Sequence, residues 1–393
     1  MNLIHEPIIP SMIDDDAYKF SQQMAFMQLF PNAFGQYRFH NRGPQRFNGD
    51  FLDTLKFQLF ECLPALQITD AELTFMEKKM PYLKPWYLDA LQAFRYNPQA
   101  LKILDLDTEG NLDWGAEGLC RNEMMWEVKT MAIISEVYFK TVDTEWTMDG
   151  QEELARKKAD QLFENNCPFI DFGTRRRRNY ETQNIVVETM KDVPSFVGTS
   201  NVHLAMKHDV NPKGTQAHEW FQAMQALGGI RHSNKYALDN WVEVYQGDLG
   251  YALPDTLGSA MFLQDFTTLY AKLFDGVRWD SGDPYWFTDL FVDFYKNLNI
   301  DPMSKTIIYS NALNCEKAVE IGKYCEGKIK AAFGIGTFFT NDFVGSKPLN
   351  MVIKLWSVNG VFVVKLSDDF GKVMGDKDAV RVTKWMVDGT PLT

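Results

Sequence analysis

The chain has 393 residues, of which 45% are hydrophobic and 23% are charged, and 40 Lys and Arg against 52 Asp and Glu give a net charge of −12. At roughly 100–200 residues per domain, this length predicts two or three domains. The acidic balance argues against a nucleic-acid-binding protein or one that binds an anionic membrane surface, because both partners require a surplus of positive charge.

The first third is predicted to be mixed and mostly helical. Asp14, Asp15 and Asp16 are expected to open a helix that runs to about Phe30, since acidic residues in a first turn complement the helix dipole. A short strand, three helices, a hairpin that turns at Gly110 and a long apolar helix are expected to follow. The predicted ranges of these elements are 36–40, 50–62, 70–80, 84–94, 101–114 and 122–140.

From about residue 150, helical patterns alternate with short apolar runs, which predicts a parallel sheet. Polar or glycine residues follow each run, as at the carboxyl ends of the strands of an α/β barrel, where active sites lie. The segment Leu349 to Lys365 is predicted to form a hairpin around Asn359-Gly360 and to pack with the N-terminal part. The expected parallel strands are 169–172, 196–197, 251–253, 277–279, 306–309 and 330–333.

Targeting and membrane segments are not predicted. No run approaches the roughly 18 apolar residues that cross a bilayer, and the first 16 residues lack the basic start and apolar core of a signal peptide. The five cysteines form no CxxC pair, which fits thiols kept reduced in a cytosol. We therefore expect a cytoplasmic protein without a membrane partner.

Four consecutive arginines, Arg175, Arg176, Arg177 and Arg178, are the strongest local positive charge in this acidic chain. A charge run of this kind is usually a solvated surface. This run follows a predicted strand and a glycine, so one or two guanidinium groups could instead hold a phosphate or pyrophosphate bidentately. Mutual repulsion prevents all four from reaching one ligand, and the sequence leaves open which of them do.

Two other segments that follow predicted strands suit a phosphorylated ligand. The loop Gly334 to Thr337 offers backbone N–H groups to a phosphate, although such a loop also serves as a plain turn. Asp280 and Asp283 flank a turn where carboxylates can hold ribose hydroxyls or a hydrated Mg²⁺. Asp283 precedes a proline and fits a helix cap, so Asp280 is the stronger functional candidate.

His218 is predicted to begin an amphipathic helix after a glycine-containing loop. A single histidine in such a place is most often structural. Here the neighbouring carboxylate of Glu219 could orient the imidazole ring, an arrangement that suits general acid–base catalysis or covalent phosphoryl chemistry.

Seven segments, taken in chain order, resemble the nicotinate phosphoribosyltransferase family of type II phosphoribosyltransferases, in its bacterial type. The resemblance implies an irregular α/β barrel over 126–344 and a smaller α+β domain built from 1–125 and 345–393. Each segment is weak alone, but seven in one order over nearly the whole chain are specific. They are DAYKF at 16–20, YRFHNR at 37–42, DFGTRR at 171–176, GTSN at 198–201, GTQAHE at 214–219, RWDSGD at 278–283 and FGIGT at 333–337.

The resemblance also implies a reaction. Nicotinate attacks C1 of 5-phosphoribosyl 1-pyrophosphate, giving nicotinate mononucleotide and pyrophosphate in a step coupled to ATP hydrolysis, with Mg²⁺ stabilising the departing pyrophosphate. This is the first step of NAD salvage from nicotinate. The alternatives are transfer to another pyridine such as nicotinamide, and a non-catalytic phosphosugar or nucleotide sensor. Relatives of this fold often place active sites near a dimer interface, so a homodimer is expected.

The site residues implied by the resemblance fall into groups. His218 is the histidine that ATP phosphorylates, with Glu219 and Asp280 as further catalytic residues, and Asp255 is the candidate partner of Mg²⁺ or pyrophosphate. A nicotinamide-specific relative carries aspartate at the position of Ser200, where a carboxylate would repel nicotinate, so Ser200 favours the acid as substrate. The expected substrate contacts are Tyr18, Phe172, Arg175, Ser200 and Arg278, and the expected 5′-phosphate contacts are Gly334, Gly336 and Thr337.

Overall fold

The protein combines two β-sheets with many helices in a mixed α/β fold, and the computed structural model describes residues 4–389. Within these residues, no helix is long and apolar enough to cross a bilayer. The strands are β1 Phe34–Asn41, β2 Leu101–Leu106, β3 Leu112–Leu119, β4 Phe169–Asp171, β5 Phe196–Thr199, β6 Tyr251–Ala252, β7 Gly276–Trp279, β8 Thr306–Tyr309, β9 Lys330–Ile335, β10 Met351–Val358 and β11 Val361–Phe362.

The helices connect the strands and cover the sheets. The five helices predicted in the first third are found within a few residues of their predicted bounds, and a π-helical turn, Gln58–Cys62, extends α2 to the predicted end at 62. The α-helices are α1 Ala17–Leu29, α2 Gly49–Phe57, α3 Leu63–Ala65, α4 Asp70–Lys79, α5 Pro85–Ala93, α6 Cys120–Glu123, α7 Trp126–Thr141, α8 Gln151–Glu164, α9 Tyr180–Met190, α10 Val202–Lys207, α11 His218–Gly228, α12 Ser233–Tyr245, α13 Ser259–Asp265, α14 Thr268–Leu273, α15 Pro284–Asn297, α16 Cys315–Cys325, α17 Thr337–Thr340 and α18 Lys377–Asp388.

The larger sheet is parallel, as the alternating pattern predicts. Its strand order is β5-β4-β9-β8-β7-β6, and every neighbouring pair runs in the same direction. The carboxyl ends of all six strands therefore meet at one edge. The sheet starts at β5 and ends at β6, and its closure into a barrel stays a prediction.

The smaller sheet is antiparallel and joins the two ends of the chain. Its order is β11-β10-β1-β3-β2, and β10 pairs with β1 through partners such as Arg38 and Lys354. The hairpin between β10 and β11 turns at Asn359 and Gly360, whose φ angles of 49° and 78° are the positive values that a tight hairpin turn requires. The predicted domain boundaries at 125/126 and 344/345 stay a prediction. Residues 1–3 and 390–393 of the predicted smaller domain lie outside the described part of the chain.

Helix α7 is buried on every face from Trp126 to Phe139. A helix that is buried all round must be mostly apolar. Its buried charged residues, which include Glu127 and Lys129, must therefore find partners of opposite charge inside the protein. These partners connect α7 to the site described below.

The prediction that Asp14 to Asp16 form the first turn of a helix is wrong. Helix α1 starts at Ala17, and its first turn contains no acidic residue. Asp14 instead accepts two hydrogen bonds from Arg177, and the Asp15 carboxylate lies 2.5 Å from the Lys129 ammonium. Buried cations require such partners, and this requirement outweighs the roughly 0.3–1 kcal/mol of a helix-dipole interaction.

Candidate active site

A central cavity of about 480 Å³ lies at the carboxyl ends of the parallel strands. This volume is typical of a pocket for a small ligand. Residues at or just after the ends of the strands β4, β5, β7, β8 and β9 line this cavity. Residues between 350 and 374, near the C-terminus, also line it. Its lining residues are Asp16, Tyr18, Arg42, Phe172, Gly173, Arg175, Arg176, Ser200, Gly214, Thr215, His218, Arg278, Asp280, Ser310, Asn311, Ala312, Leu313, Gly334, Gly336, Thr337, Asn350, Val352, Lys354, Lys365, Gly371, Lys372 and Met374.

Most of the site residues predicted from the sequence line this one cavity. Glu219 and Asp255 do not, and both lie buried behind its wall. The residues that the fold brings together are Tyr18, Phe172, Arg175, Ser200, His218, Arg278, Asp280, Gly334, Gly336 and Thr337.

His218 is the first residue of α11, and its ring is held by Asp255. The imidazole Nε2 lies 2.7 Å from Asp255 Oδ1, and Asp255 Oδ2 accepts a hydrogen bond from Ser281 at 2.6 Å. Lys365 Nζ lies 2.9 Å from the same Oδ2. The neighbouring Lys365 and His218, which outweigh burial, hold the pKa of Asp255 well below its usual range.

The His218 imidazole is neutral at ordinary pH, because burial and the Lys365 ammonium lower its pKa to about 4. A carboxylate can only accept a hydrogen bond, so Nε2 carries the ring proton and its N–H donates a hydrogen bond to Asp255. The other nitrogen, Nδ1, is then left with a free lone pair. In this tautomer, the Nδ1 lone pair has the chemistry of a nucleophile or a proton acceptor.

The prediction that Glu219 orients the His218 ring is wrong, since Asp255 does so. The Glu219 carboxylate accepts a hydrogen bond from Tyr37 at 2.7 Å and from Lys19 at 2.8 Å. Successive residues at the start of a helix point in different directions, about 100° apart. A neighbour in sequence is therefore a poor candidate for a ring contact.

The arginine run divides into two pairs, and none of its side chains is a solvated surface group. Arg175 and Arg176 line the central cavity. Arg177 is fully buried in a bidentate pair with Asp14, with N···O distances of 2.7 and 2.8 Å. Arg178 is also buried and stacks on Phe139, with its guanidinium carbon 3.5 Å from the ring centroid.

Arg278 and Phe172 form one wall of the cavity. The Arg278 guanidinium carbon lies 5.6 Å from the centroid of the Phe172 ring, a distance at which a cation and a π face attract. Its Nε donates to Ser310 at 2.7 Å, and one terminal nitrogen donates to Asp280 at 3.2 Å. A Cβ on Gly334 would lie 2.3 Å from the Phe172 ring, so Gly334 provides the space into which that ring fits.

Asp16 lies beside Ser200, and its Oδ1 accepts the Ser200 hydroxyl at 2.7 Å. Both residues line the cavity. A carboxylate is therefore already present at this position, although Ser200 was expected to keep the nicotinate site free of one. Because the hydroxyl donates to Asp16, its oxygen lone pairs, and not its proton, are available to a ligand.

Four cationic residues of the cavity were missed from the sequence. Arg42, Lys354, Lys365 and Lys372 come from the end of β1, from β10 and from the segment after β11. With Arg175, Arg176 and Arg278 they make seven cationic side chains against two acidic ones, Asp16 and Asp280. Arg42 ends the YRFHNR segment but was given no role, and no local motif marks the three lysines. Only the predicted packing of the C-terminal hairpin on the N-terminal part pointed to this region.

Two of these lysines differ in their surroundings. Lys372 Nζ donates to the Asp280 carbonyl at 2.8 Å and to the Asn311 side chain at 2.6 Å. Burial lowers the pKa of Lys354 to about 7, and the nearby Arg175 and Lys365 add to this effect. An anion bound beside Lys354 would therefore also favour its protonation.

One group of side chains has donor atoms close enough together to hold a metal ion such as Mg²⁺. His218, Asp255 and Asp280 each offer a ligand atom, and these atoms lie within 4.8 Å of one another. Both Asp255 oxygens already accept from His218, Ser281 and Lys365, and Lys365 also lies 3.5 Å from Asp280. Asp280 Oδ1 accepts from Arg278 and Ser310, but no hydrogen bond from the described part of the chain occupies Oδ2, and Asp280 lines the cavity whereas Asp255 does not. Asp280 therefore fits a hydrated Mg²⁺ better than Asp255 does.

Comparison with known proteins identifies the family of this fold. Residues 167–388 match the model of the nicotinate phosphoribosyltransferase (NAPRTase) family, and residues 13–135 match the model of its N-terminal domain. A nicotinate phosphoribosyltransferase of Methanosarcina mazei is 44% identical over 97% of this chain and 98% of its own length. One from Chromohalobacter salexigens is 41% identical over 96% of this chain and 98% of its own.

Solved structures agree with the sequence comparisons. The crystal structure of nicotinate phosphoribosyltransferase from Porphyromonas gingivalis superimposes with a TM-score of 0.93 at 38% identity, and covers 97% of this chain and 100% of its own. The corresponding structure from Vibrio cholerae gives a TM-score of 0.90 at 33% identity, and covers 97% of this chain and 94% of its own.

Proposed function

This chain belongs to the nicotinate phosphoribosyltransferase family, and we propose that it joins nicotinate to the ribose C1 of 5-phosphoribosyl 1-pyrophosphate in a reaction coupled to ATP hydrolysis. The products are nicotinate mononucleotide and pyrophosphate, with ADP and phosphate from the coupled reaction. This is the first step of NAD salvage from nicotinate. The observation that supports the ATP coupling is the hydrogen bond between His218 and Asp255, because His218 also lines a cavity rich in basic side chains.

The transfer step needs no general acid or base. The pyridine nitrogen of nicotinate attacks C1 with its lone pair, and the C1–O bond breaks with its electrons going to the pyrophosphate oxygen. Charge develops as an oxocarbenium-like ribose and a pyrophosphate trianion or tetraanion. Arg42, Lys365 and Lys372 line the cavity and would stabilise the leaving group, and bound Mg²⁺ would supply Lewis-acid stabilisation, held by Asp280 and the pyrophosphate itself.

Nicotinate binds, in this proposal, between the aromatic and cationic residues of one wall. Tyr18 and Phe172 offer aromatic surface, and Arg175 and Arg278 offer guanidinium groups to the substrate carboxylate. The hydrogen bonds of Arg278 to Ser310 and Asp280 hold its guanidinium in one orientation before substrate enters. The ribose 5′-phosphate binds the backbone of the Gly334 to Thr337 loop.

ATP acts through a phosphohistidine. The lone pair of His218 Nδ1 attacks the γ-phosphorus, and the bond from that phosphorus to the ADP oxygen breaks. The Nε2–H···Asp255 hydrogen bond stabilises the positive charge that the ring acquires. The added phosphate carries roughly −1.5 to −2 charge and would attract Lys365 and other nearby cations, which changes the charge balance of the site. Hydrolysis of the phosphohistidine by water then completes the cycle.

The selectivity for the acid rests on charge. Seven basic side chains, of which Lys354 is only partly charged at neutral pH, against two carboxylates around the cavity favour the anion nicotinate over neutral nicotinamide. The relatives at 41–44% identity are also named for nicotinate, so transfer to nicotinamide is the weaker alternative. The catalytic residues expected from the resemblance are all present, which disfavours a sensor without activity. A homodimer is part of the proposal.

The deciding assay compares nicotinate with nicotinamide, each with and without ATP, and measures pyridine mononucleotide formed from 5-phosphoribosyl 1-pyrophosphate. We expect product with nicotinate, a higher rate with ATP, and little product with nicotinamide. Comparable rates for the two pyridines would contradict the selectivity. The same protein incubated with γ-labelled ATP should carry an acid-labile label that is absent in His218→Ala and present in His232→Ala, an exposed histidine outside the site.

A further inference from the structure

A buried cluster of charged and hydroxyl groups lies beneath the active site, centred on Lys19. The Lys19 ammonium lies 2.6 Å from Glu127 Oε2 and 2.8 Å from Glu219 Oε2. Lys19 is fully buried, and both carboxylates are only 8% exposed. The two acids and Tyr18 and Tyr37, which donate to them, make up the Lys19 cluster.

The cluster is held together by the cost of burying charge. One ammonium lies between two carboxylates, and the attraction to both holds the pKa of Lys19 well above its usual range despite burial. Lys19 and Arg175 likewise hold the pKa of Glu127 below its usual range, against the effect of burial. Removing the ammonium would leave two like charges close together in a mostly buried environment, a costly arrangement.

One arm of the cluster reaches the expected nicotinate end of the cavity. Glu127 Oε2 accepts the Tyr18 hydroxyl at 3.2 Å, and Glu127 Oε1 accepts from Arg175 at 3.4 Å. Tyr18 and Arg175 both line the central cavity. The position of Glu127 therefore affects two groups that face the substrate.

The other arm reaches the phosphorylation site. Glu219 follows His218 in the first turn of α11, so its bonds to Lys19 and Tyr37 fix the start of that helix. A side cavity of about 40 Å³ lies between the two arms, lined among others by Tyr18, Arg175, His218 and Glu219. It has room for a few water molecules at most, so the two ends are close neighbours.

We propose that Lys19 is a positioning residue that couples the two ends of the active site. Through Glu127 it orients Tyr18 and Arg175, and through Glu219 it holds the helix start that carries His218. Phosphorylation of His218 would then shift the positions of Tyr18 and Arg175 through the ion pairs of the Lys19 cluster, and so change the affinity for nicotinate. This inference rests on the proposed function and assigns the coupling between its two steps to a residue that does not line the central cavity.

The test compares Lys19→Met with Lys19→Arg and with Lys305→Met. Lys305, just before β8, is also a buried lysine, but its ammonium donates to the backbone carbonyls of Lys272 and Phe274, which precede β7 at the opposite edge of the sheet. Steady-state assays give kcat, the KM for nicotinate and the ATP hydrolysed per mononucleotide formed. We expect Lys19→Met to raise the KM about 10-fold, the range of a typical coupling, and to raise the ATP consumed per product.

Two control variants distinguish a positioning role of Lys19 from a general loss of stability. Lys19→Arg keeps the charge and should return the KM to within about threefold of the parent. Lys305→Met should lose stability without a change in KM or in ATP consumed per product. If Lys19→Met lowers only the active fraction, as Lys305→Met does, the proposal is overturned.

A second pair of variants keeps the test decisive if Lys19→Met does not fold. Glu127→Gln and Glu219→Gln preserve side-chain volume and each remove one carboxylate. Coupling predicts crossed effects: Glu219→Gln raises the KM for nicotinate, and Glu127→Gln slows labelling of His218 by ATP. Uncrossed effects, each confined to its own end of the site, would overturn the proposal. Failure of the parent protein to use nicotinate at all would instead count against the proposed function.

Discussion

The imidazole of His218 and the carboxylate of Asp255 meet at 2.7 Å, although the two residues lie 37 positions apart in the chain. Asp255 is in turn fixed by Ser281 and Lys365. The pair sets the tautomer of His218 and therefore decides which ring nitrogen is free to react. The first prediction concerns this pair.

His218→Ala is expected to abolish ATP hydrolysis and its stimulation of transfer, and to leave a slow ATP-independent reaction. Asp255→Asn should slow ATP hydrolysis by about 10²–10⁴-fold, since loss of the carboxylate that fixes a catalytic tautomer has effects of this size elsewhere. Both rates are measured with and without ATP at saturating substrate. Intact ATP stimulation in His218→Ala would rule out the phosphohistidine.

The titration of His218 is the second prediction. Its pKa, lowered to about 4 by burial and Lys365, means that the ring stays neutral as the pH falls from 8 to about 5 and becomes protonated only below that. Protonation removes the lone pair on Nδ1, so nucleophilic reactivity is lost at low pH and not at high pH. NMR titration of ¹⁵N-histidine-labelled protein checks this, with the His218 signal assigned by its absence in His218→Ala. A midpoint near 6.5 would be inconsistent with the buried environment.

Opposite effects are predicted within the arginine run. Arg177→Met leaves Asp14 buried without its partner, so the free energy of unfolding should fall by about 3–5 kcal/mol while the substrate KM values stay unchanged. Arg176→Met should raise the KM for an anionic substrate and alter stability little. Denaturant unfolding and steady-state kinetics on both variants give the comparison. A KM effect in Arg177→Met would show that the division of the run is mistaken.

Arg278→Ala should weaken nicotinate binding far more than ATP binding. The guanidinium is held by Ser310 and Asp280 next to Phe172, and a charged hydrogen bond to a carboxylate contributes about 1.5–3 kcal/mol, or roughly 10- to 150-fold in affinity. Calorimetric titration with each ligand separates the two effects. Equal losses for nicotinate and ATP would mean that Arg278 only maintains the shape of the site.

Ser200→Asp is expected to reduce the use of nicotinate, because a second carboxylate would then lie beside Asp16 in the cavity. We expect the KM for nicotinate to rise by about 10-fold or more, the effect of like charges brought together in a partly buried site. Ser200→Asn, which adds similar volume without charge, is the matched control. An unchanged KM in Ser200→Asp would refute the role of charge at this position.

Much of the fold could be predicted from local patterns. The alternation of helices with short apolar runs identified the parallel strands, and the polar residues after them identified the edge where the cavity lies. The Asn359-Gly360 turn marked the C-terminal hairpin, because few other residues tolerate positive φ at both positions. Each of these signals is contained within about ten residues, which is why the sequence shows them.

Contacts between distant segments could not be predicted in this way. The sequence placed Glu219 beside His218, whereas the ring contact comes from Asp255, and it suggested a helix dipole for Asp14, whose partner is Arg177. Lys354 lies in β10 and Lys365 follows β11, and neither carries a local signal, because the sequence around a lone lysine does not show whether it faces solvent or a cavity.

The sequence by itself therefore determined the family resemblance, the positions of the parallel strands along the chain and ten of the residues that line the cavity, since these depend on local spacing. The tertiary structure decided which charges pair. An acidic chain of net charge −12 nevertheless surrounds its cavity with seven cations, because residues from both chain ends converge there. Pairing inside a protein depends on distance and burial, and those are set only when the two sheets pack together.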